Sequence, residues 1–485
     1  MIETAISASG SQIAVCLAVS LLIVIATVWK VRRAGGGHDG SGQDVFLAGK
    51  SLSWPFVAGA ITITNLSTDQ LVGMNGNQML LLAWWELAGF IGLLILAFVF
   101  VPIYYRHNCT TVTELLERRY EGRGLRTLIS AMFLFGMLLI YLPAGLYSGG
   151  LFLKSLFGSD LPVTLFGALL AIPAAAYTIA GGLRAVAVVE TFAGVGVLAI
   201  AALIVVLALN AVGWDLTTGV PPERLTMIGA PDSPIPFHTL FTGMLFIQIY
   251  YWSTNQPITQ KAMAAPTVRE AQKGVLAAAV VRLLVIPAVV VIPGVVAYKL
   301  FGDVNDAAYG KVVAAVLPPW LSGAFAALIA AAVIAHTAAV LNAAVGLYSV
   351  DFHDRFVAKV RNHWRLASIV SALFTASSIA MIPTFENAES IINLLQQLNG
   401  LSSMPILSAF IVGLLFTGVR AEAAICGVIW GLGLYAAFTF YLDPNGLVGL
   451  HYIDFMLVTL LTSVLASLIA NRLVWGGRAR LAFAR

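Results

Sequence analysis

The sequence predicts an all-α integral membrane protein of about 13 transmembrane helices. Three observations carry that prediction. The 485-residue chain is 59% hydrophobic and only 10% charged, with a mean hydropathy of +0.90, where soluble domains carry about 25% charged residues. Apolar runs of roughly 20 residues, long enough to cross a bilayer, recur along the whole length. Lysine and arginine are also divided unevenly between alternate loops, as the positive-inside rule requires.

Spans are expected at 11–30, 53–78, 80–105, 126–156, 161–180, 187–210, 239–260, 274–300, 322–350, 366–384, 388–417, 421–442 and 452–474. The first, QIAVCLAVSLLIVIATVW, ends in Lys30, Arg32 and Arg33. It lacks a small-residue cleavage site, and its charges lie on the wrong side for a signal peptide. It reads as a true span with the N-terminus outside and, after 13 crossings, the C-terminus inside. In that topology 22 of the 27 Lys and Arg face the cytoplasm, including Arg106, Arg118, Arg119, Arg123, Arg126 and Lys261, and four lie outside: Lys154, Arg224, Lys299 and Lys311. Arg282 falls inside a span. The net charge of +4 is thus a topology signal and implies no nucleic-acid partner.

Two spans are interrupted by polar residues. ITITNLSTDQLVGMNG (61–76) sets Asn65, Ser67, Asp69 and Gln70 inside an apolar run, and FIQIYYWSTNQPITQK (246–261) does the same with Gln248, Ser253, Thr254, Asn255, Gln256 and Pro257. Backbone loses its helix at membrane depth only where protein or a water-filled cavity satisfies the released groups. Paired breaks at corresponding positions of two halves point to a solute site at the midplane between inverted repeats. The halves are expected at 53–210 and 239–417, within one transmembrane domain, with an extra helix at 11–30 and two more at 421–474. No nucleotide-binding loop, CxxC or Cys/His metal spacing occurs, so no cofactor is expected. Cys16, Cys109 and Cys426 read as small apolar residues.

The motifs NLSTDQLVGMNG, WWE at 84–86, YYWSTNQ at 250–256, EAQKG at 270–274 and VVIPGVVAY at 290–298 resemble the sodium–solute symporter family, in particular its sugar-transporting branch. The resemblance runs from about residue 44 to 417. It implies a five-plus-five inverted-repeat fold of the leucine-transporter type, alternating access, a sugar or sugar-like solute, a coupling cation, and a multi-pass place in the inner (cytoplasmic) membrane. No enzymatic activity follows, and nothing demands more than a monomer. The solute-binding residues it implies are Asn65, Gln70, Glu86, Gln248, Tyr251, Arg282 and Gln396, with Met74, Trp85 and Tyr251 as gates. Amides and a carboxylate suit hydroxyls that donate and accept, and an aromatic face covers a sugar's C–H surface. Gln248, Arg282 and Gly89 replace an asparagine, a lysine and a serine of the family pattern, so galactose itself does not follow. Arg282 is alternatively a snorkelling residue near the cytoplasmic end of its span, or a ligand for a carboxylate.

The resemblance also implies a sodium site between the carbonyls of Ile63 and Leu66 and the positions of Ala332, Ala335 and His336 in AAAVIAHTAAVLN, with Glu190 near the cytoplasmic exit in place of an aspartate. Both side-chain hydroxyls of the family's site are missing here. Sodium is a hard cation that takes oxygen ligands, whereas imidazole suits protons and softer metals. His336 would titrate within the physiological range at its ordinary pKa of about 6.5. Proton coupling or sodium independence is therefore one expectation. The other is a sodium-coupled symporter, of a sugar or of a carboxylate, amino acid or polyol, in which Thr337 supplies the missing oxygen.

Overall fold

The computed structural model describes residues 9–33, 47–66, 68–357, 363–386, 388, 390–482. Within these, the side chains of 26–33, 48, 63–64, 180–193, 355 and 363–364 lie outside the description, and Ile63 and Glu190 are among them. The chain is helical almost throughout: α1 (Gly10–Arg33), α2 (Trp54–Asn65) and α3 (Thr68–Gly76), then α4 (Leu80–Arg106), α5 (Val112–Tyr120), α6 (Arg123–Phe157) and α7 (Val163–Ala211). After an irregular segment come α8 (Gly243–Ser253) and α9 (Gln256–Met263), then α10 (Val268–Phe301), α11 (Ala308–Val316), α12 (Pro319–Asp354), α13 (Arg365–Phe385), α14 (Ile391–Leu415), α15 (Ala421–Leu442) and α16 (Tyr452–Leu473). Among the described residues nine helices are long and apolar enough to cross a membrane. A two-residue antiparallel pair, Phe416–Thr417 with Arg480–Leu481, is the sheet found among the described residues.

Both expected breaks are present. α2 stops at Asn65 because Leu66 leaves the helical region (φ −77°, ψ 55°), and its N–H donates back to Thr62 O. α8 stops at Ser253, and α9 restarts after extended Asn255 (φ −82°, ψ 125°) with Pro257 in its first turn, where a missing N–H costs nothing. Side chains take up groups that the second break releases. Tyr104 OH donates to Ser253 O at 2.8 Å, and Ser253 Oγ reaches Gly92 O at 3.1 Å.

The IPGV stretch of α10 has a similar logic. Pro293 leaves the Val289 carbonyl without its usual i+4 donor, and Asn75 of α3 supplies one (Nδ2 to Val289 O, 3.2 Å). Asn75 Oδ1 in turn accepts from Gly294 N–H at 2.7 Å. A Cβ on Gly294 would lie 2.3 Å from Asn75 O, so glycine is what lets α3 lie this close to α10.

The spans expected at 161–180 and 187–210 both fall largely within Val163–Ala211, and the chain turns back along α12 between them: Thr178 Oγ1 donates to Ala338 O at 3.2 Å, whereas a Cβ on Gly196 would lie 3.1 Å from Leu328 Cδ1, ten residues nearer the start of α12. One expectation needs correction. Lys261, expected in a cytoplasmic loop, is fully buried within α9. The helix restarted by the break runs on to Met263, and the lysine Nζ reaches Ala60 O at 3.3 Å.

Candidate functional site

The two breaks face one cavity of about 50 Å³, with walls from α2, α3, α4, α6, α8, α10, α12 and α14. Asn65, Gln70, Trp85, Gln248, Tyr251, Arg282, Gln396 and His336 all line it. The residues singled out from six separate stretches of sequence therefore converge.

Glu86 stands one layer back. It is wholly buried and forms an ion pair with Arg282, itself 2% exposed. The guanidinium also lies 4.3 Å above the Trp252 ring and faces the Asn65 amide. With the amide oxygen turned to the cation, Arg282 Nη1 donates to it at 2.9 Å and Gln70 Nε2 at 2.9 Å, while Asn65 Nδ2 donates to Tyr251 OH at 3.0 Å. Arg282 is thus no snorkelling residue. It is held in the protein interior by a carboxylate, an amide and an aromatic face, the set a buried guanidinium needs.

Gln248 lines the cavity but spends its polar atoms inside the wall. Its Nε2 donates to Trp85 O at 2.7 Å, and its Oε1 accepts from Trp252 Nε1 at 3.0 Å. The wall is tight enough that a Cβ on Gly89 would stand 2.9 Å from Trp252 Nε1 and 3.3 Å from Arg282 Cδ. Gly89, which departs from the family pattern, makes room for that stack. On the opposite side Asn399 Nδ2 donates to Gln396 Oε1 at 3.0 Å, which leaves the Gln396 NH2 group as the cavity-side donor.

Of the expected gates, Trp85 and Tyr251 line the cavity, whereas Met74 is buried away from it. Asp69, noted with the first break, also lines it, as do Tyr141, Trp252 and Asn399, none of them singled out from sequence. Trp252 sits four residues after Gln248 and Asn399 three after Gln396, so helical spacing alone would have found both.

On α12, Ala332, Ala335 and His336 are buried. The imidazole lies against Gly145 of α6, where a Cβ would be 3.6 Å from His336 Cδ2. Alanines at 332 and 335 offer no side-chain oxygen. The neighbouring Thr337 hydroxyl is buried without a hydrogen-bond partner among the described residues. At the first break Thr68, Ser148 and the Gly145 carbonyl hydrogen-bond to one another at 3.2–3.4 Å. Among the described residues no cluster of three His, Cys, Asp or Glu side chains forms a metal site.

A second, larger cavity of about 850 Å³ opens beyond the far end of α3 and the start of α14, lined by Asn77, Arg224, Asp303, Ser390, Asn393 and Gln397 among others. Asn393 and Gln397 flank Gln396 on one helix, so this vestibule stands above the central cavity.

A model of the sodium:solute symporter family matches residues 45–431. The chain is 33% identical to the uncharacterized symporter YidK of Escherichia coli (strain K12), over 93% of this chain and 81% of that protein. It is 31% identical to the sodium/glucose cotransporter of Vibrio parahaemolyticus, over 92% and 87%. In structure it superposes on a Na+-coupled sialic acid symporter in its outward-open state, with TM-score 0.81, 16% identity and coverage of 96% and 98%. It also superposes on the nucleobase-cation-symport-1 transporter Mhp1 in a closed conformation, with TM-score 0.55, 17% identity and coverage of 88% and 94%.

Proposed function

The chain belongs to the sodium:solute symporter family, and we propose that it imports a neutral polyhydroxylated solute, a sugar or polyol, by alternating access around the central cavity. It is a multi-pass membrane transporter and not an enzyme, and family membership carries cation coupling with it. One observation carries the choice of solute. Arg282, the single arginine or lysine lining the cavity among the described residues, is already neutralised by Glu86 behind it.

A carboxylate solute would need a guanidinium with its fork open, and would also meet the Asp69 carboxylate in the lining. Hydroxyls suit what remains. Gln70, Gln396 and Asn399 present amides, and Tyr251 presents both a ring and a hydroxyl. We assign Gln70, Tyr251 and Gln396 to direct solute contact. Asn65, Glu86, Arg282 and Gln248 form the frame that holds them, and Trp85 and Tyr251 act as gates. A 50 Å³ cavity holds a few waters, so these walls must part to admit a sugar.

For the coupling ion we propose His336 as a proton-carrying group in place of the sodium site, because the α12 positions that would supply hydroxyls are Ala335 and His336. The competing reading, sodium coupling, is favoured by the orphaned Thr337 hydroxyl one residue further on. We also propose an inner-membrane location with the N-terminus outside, from the loop charges, and a monomeric working unit.

Counterflow in proteoliposomes with a panel of sugars, polyols and organic acids tests the solute class, and exchange of the organic acids alone would refute it. Uptake of the best substrate under imposed sodium or pH gradients tests the ion. Stimulation by sodium alone would discard the His336 reading. Stimulation by an inward proton gradient, lost in His336→Ala, would assign the histidine.

A further inference from the structure

The strongest unassigned feature lies at the arginine-rich end of the molecule, opposite the vestibule. Asp351, in the last turn of α12, is 1% exposed, yet four donors converge on its carboxylate. Thr113 Oγ1 reaches Oδ2 at 2.8 Å, joined there by Ser130 Oγ. Arg126 Nε reaches Oδ1 at 2.7 Å, joined by its Nη2. Arg126 also contacts Glu117 Oε2 at 2.5 Å and Glu114 Oε1 at 3.4 Å.

Thr113, Glu114 and Glu117 all belong to α5, a nine-residue helix too short and too polar to span a bilayer. α5 is tied to the rest of the molecule at every turn. Val112 N–H donates to Gln256 Oε1 (2.8 Å) at the start of the restarted helix α9. Tyr120 OH donates to Ala409 O of α14 (2.8 Å), and Arg119 Nη2 to Phe416 O (2.8 Å). One short helix is thereby fastened to α6, α12 and α14, three of the elements that line the central cavity, and to α9 after the second break, while the 850 Å³ vestibule stands at the other end.

We infer that α5 is the plug closing the inner end of the solute path, and that Asp351 is the positioning residue whose ion pair with Arg126 must break for that end to open. The physical reason is that Asp351 stays buried only while its donors are in place. Separating α5 and α6 from α12 strips the carboxylate of its partners and admits water to hydrate it, so closed and open states differ discretely. The inference rests on the transporter reading but on no particular solute or ion.

Cys109 supplies a native reporter. It is 2% exposed, three residues before α5, and burial together with the nearby Glu114 carboxylate pushes its thiol up to about 12. It is therefore shielded and poorly ionised while α5 is seated. Labelling of Cys109 in the denatured protein, where the thiol is open to reagent, serves as the internal standard. The experiment is site-resolved N-ethylmaleimide labelling of the full-length protein in inside-out vesicles, comparing wild type, Asp351→Asn and Ser130→Ala.

Weakening charge-assisted bonds to Asp351 is expected to raise the rate of Cys109 labelling, relative to the denatured standard, by about tenfold or more in Asp351→Asn. Ser130→Ala, which removes one hydroxyl donor, should raise it by about threefold or more. Labelling unchanged in a variant that melts like wild type overturns the proposal, as does acceleration seen only from the outer face. If Asp351→Asn fails to fold, Ser130→Ala decides alone. No solute enters the assay, so its failure is distinct from failure of the solute assignment.

Discussion

Replacing Glu86 by glutamine removes the carboxylate from a pair in which both partners are buried, Arg282 at 2% exposure and Glu86 at none. Breaking such a pair costs about 3–5 kcal/mol, because a buried charge is left uncompensated. Here the stranded guanidinium keeps the Asn65 oxygen and the Trp252 face, the latter worth up to about 2 kcal/mol when desolvated. Glutamine also retains an oxygen at the same position. The loss is therefore placed at the lower end, about 3 kcal/mol. Replacing both partners with apolar residues, Glu86→Leu with Arg282→Met, should recover most of that loss, since buried pairs compete poorly with apolar isosteres. Equilibrium unfolding in detergent of Glu86→Leu, Arg282→Met and the double variant completes a double-mutant cycle, with Glu86→Gln measured beside them. Uptake should be lost in all of them, including the restabilised double variant, because Asn65, Gln70 and Tyr251 lose the cation that orients them. A cost below about 1 kcal/mol for Glu86→Gln, or single losses that simply add in the double variant, would refute the buried-pair reasoning. Normal uptake by the double variant would refute the frame assigned to Arg282.

Tyr251→Phe keeps the ring but loses the hydroxyl contacted by Asn65, so a loss of about 1 kcal/mol, or roughly fivefold in apparent affinity, is expected. Tyr251→Ala should abolish counterflow, and equal effects of the two would remove the ring from the account. Asp306, buried in the loop before α11 with its Oδ2 accepting from Ile391 N–H at 3.0 Å, has its carboxyl pushed up from 3.8 to about 7 by burial. The native state therefore holds that proton where the unfolded chain has lost it. Stability from the neutral acid is full below about pH 4 and is lost as pH rises through about 7, a change on the order of 4 kcal/mol. Asp306→Asn should flatten the fall in melting temperature between pH 5 and 8, and an unchanged slope would assign the fall to another group. Gly92→Ala would bring a Cβ to 2.5 Å from Gln248 O, a backbone contact that cannot yield cheaply. A loss of about 1–3 kcal/mol and weaker uptake are expected, read by melts and counterflow.

Much of the site was visible in the chain because its residues violate local expectation. A glutamine or an arginine inside an apolar span is costly unless something faces it, so Gln70 and Arg282 stand out in the chain, whereas Glu86 and Gln396 are implied by the family resemblance. Trp252 and Tyr141 do not stand out, since aromatic residues in a span read equally well as packing. Gln248 lines the cavity, but its hydrogen bonds are not legible in the chain. Its type announces hydrogen bonding, but only the fold reveals that Trp85 and Trp252 consume it. Lys261 reads as part of a cytoplasmic loop because hydropathy falls there, and hydropathy does not distinguish a loop from a buried polar helix.

By itself, then, the sequence determined that this chain is a multi-pass membrane protein built of apolar helices, and that two of them break. Each of these follows from local chemistry: apolar runs must leave water, and polar residues or proline at depth must find partners within the protein. Tertiary structure decided which polar groups meet. Glu86 and Arg282 are 196 residues apart and Thr113 and Asp351 are 238 apart, and nothing local to either pair announces the other. Whether a buried charge binds solute, holds a wall or bolts a gate depends on the partner that neutralises it, and packing sets that partner.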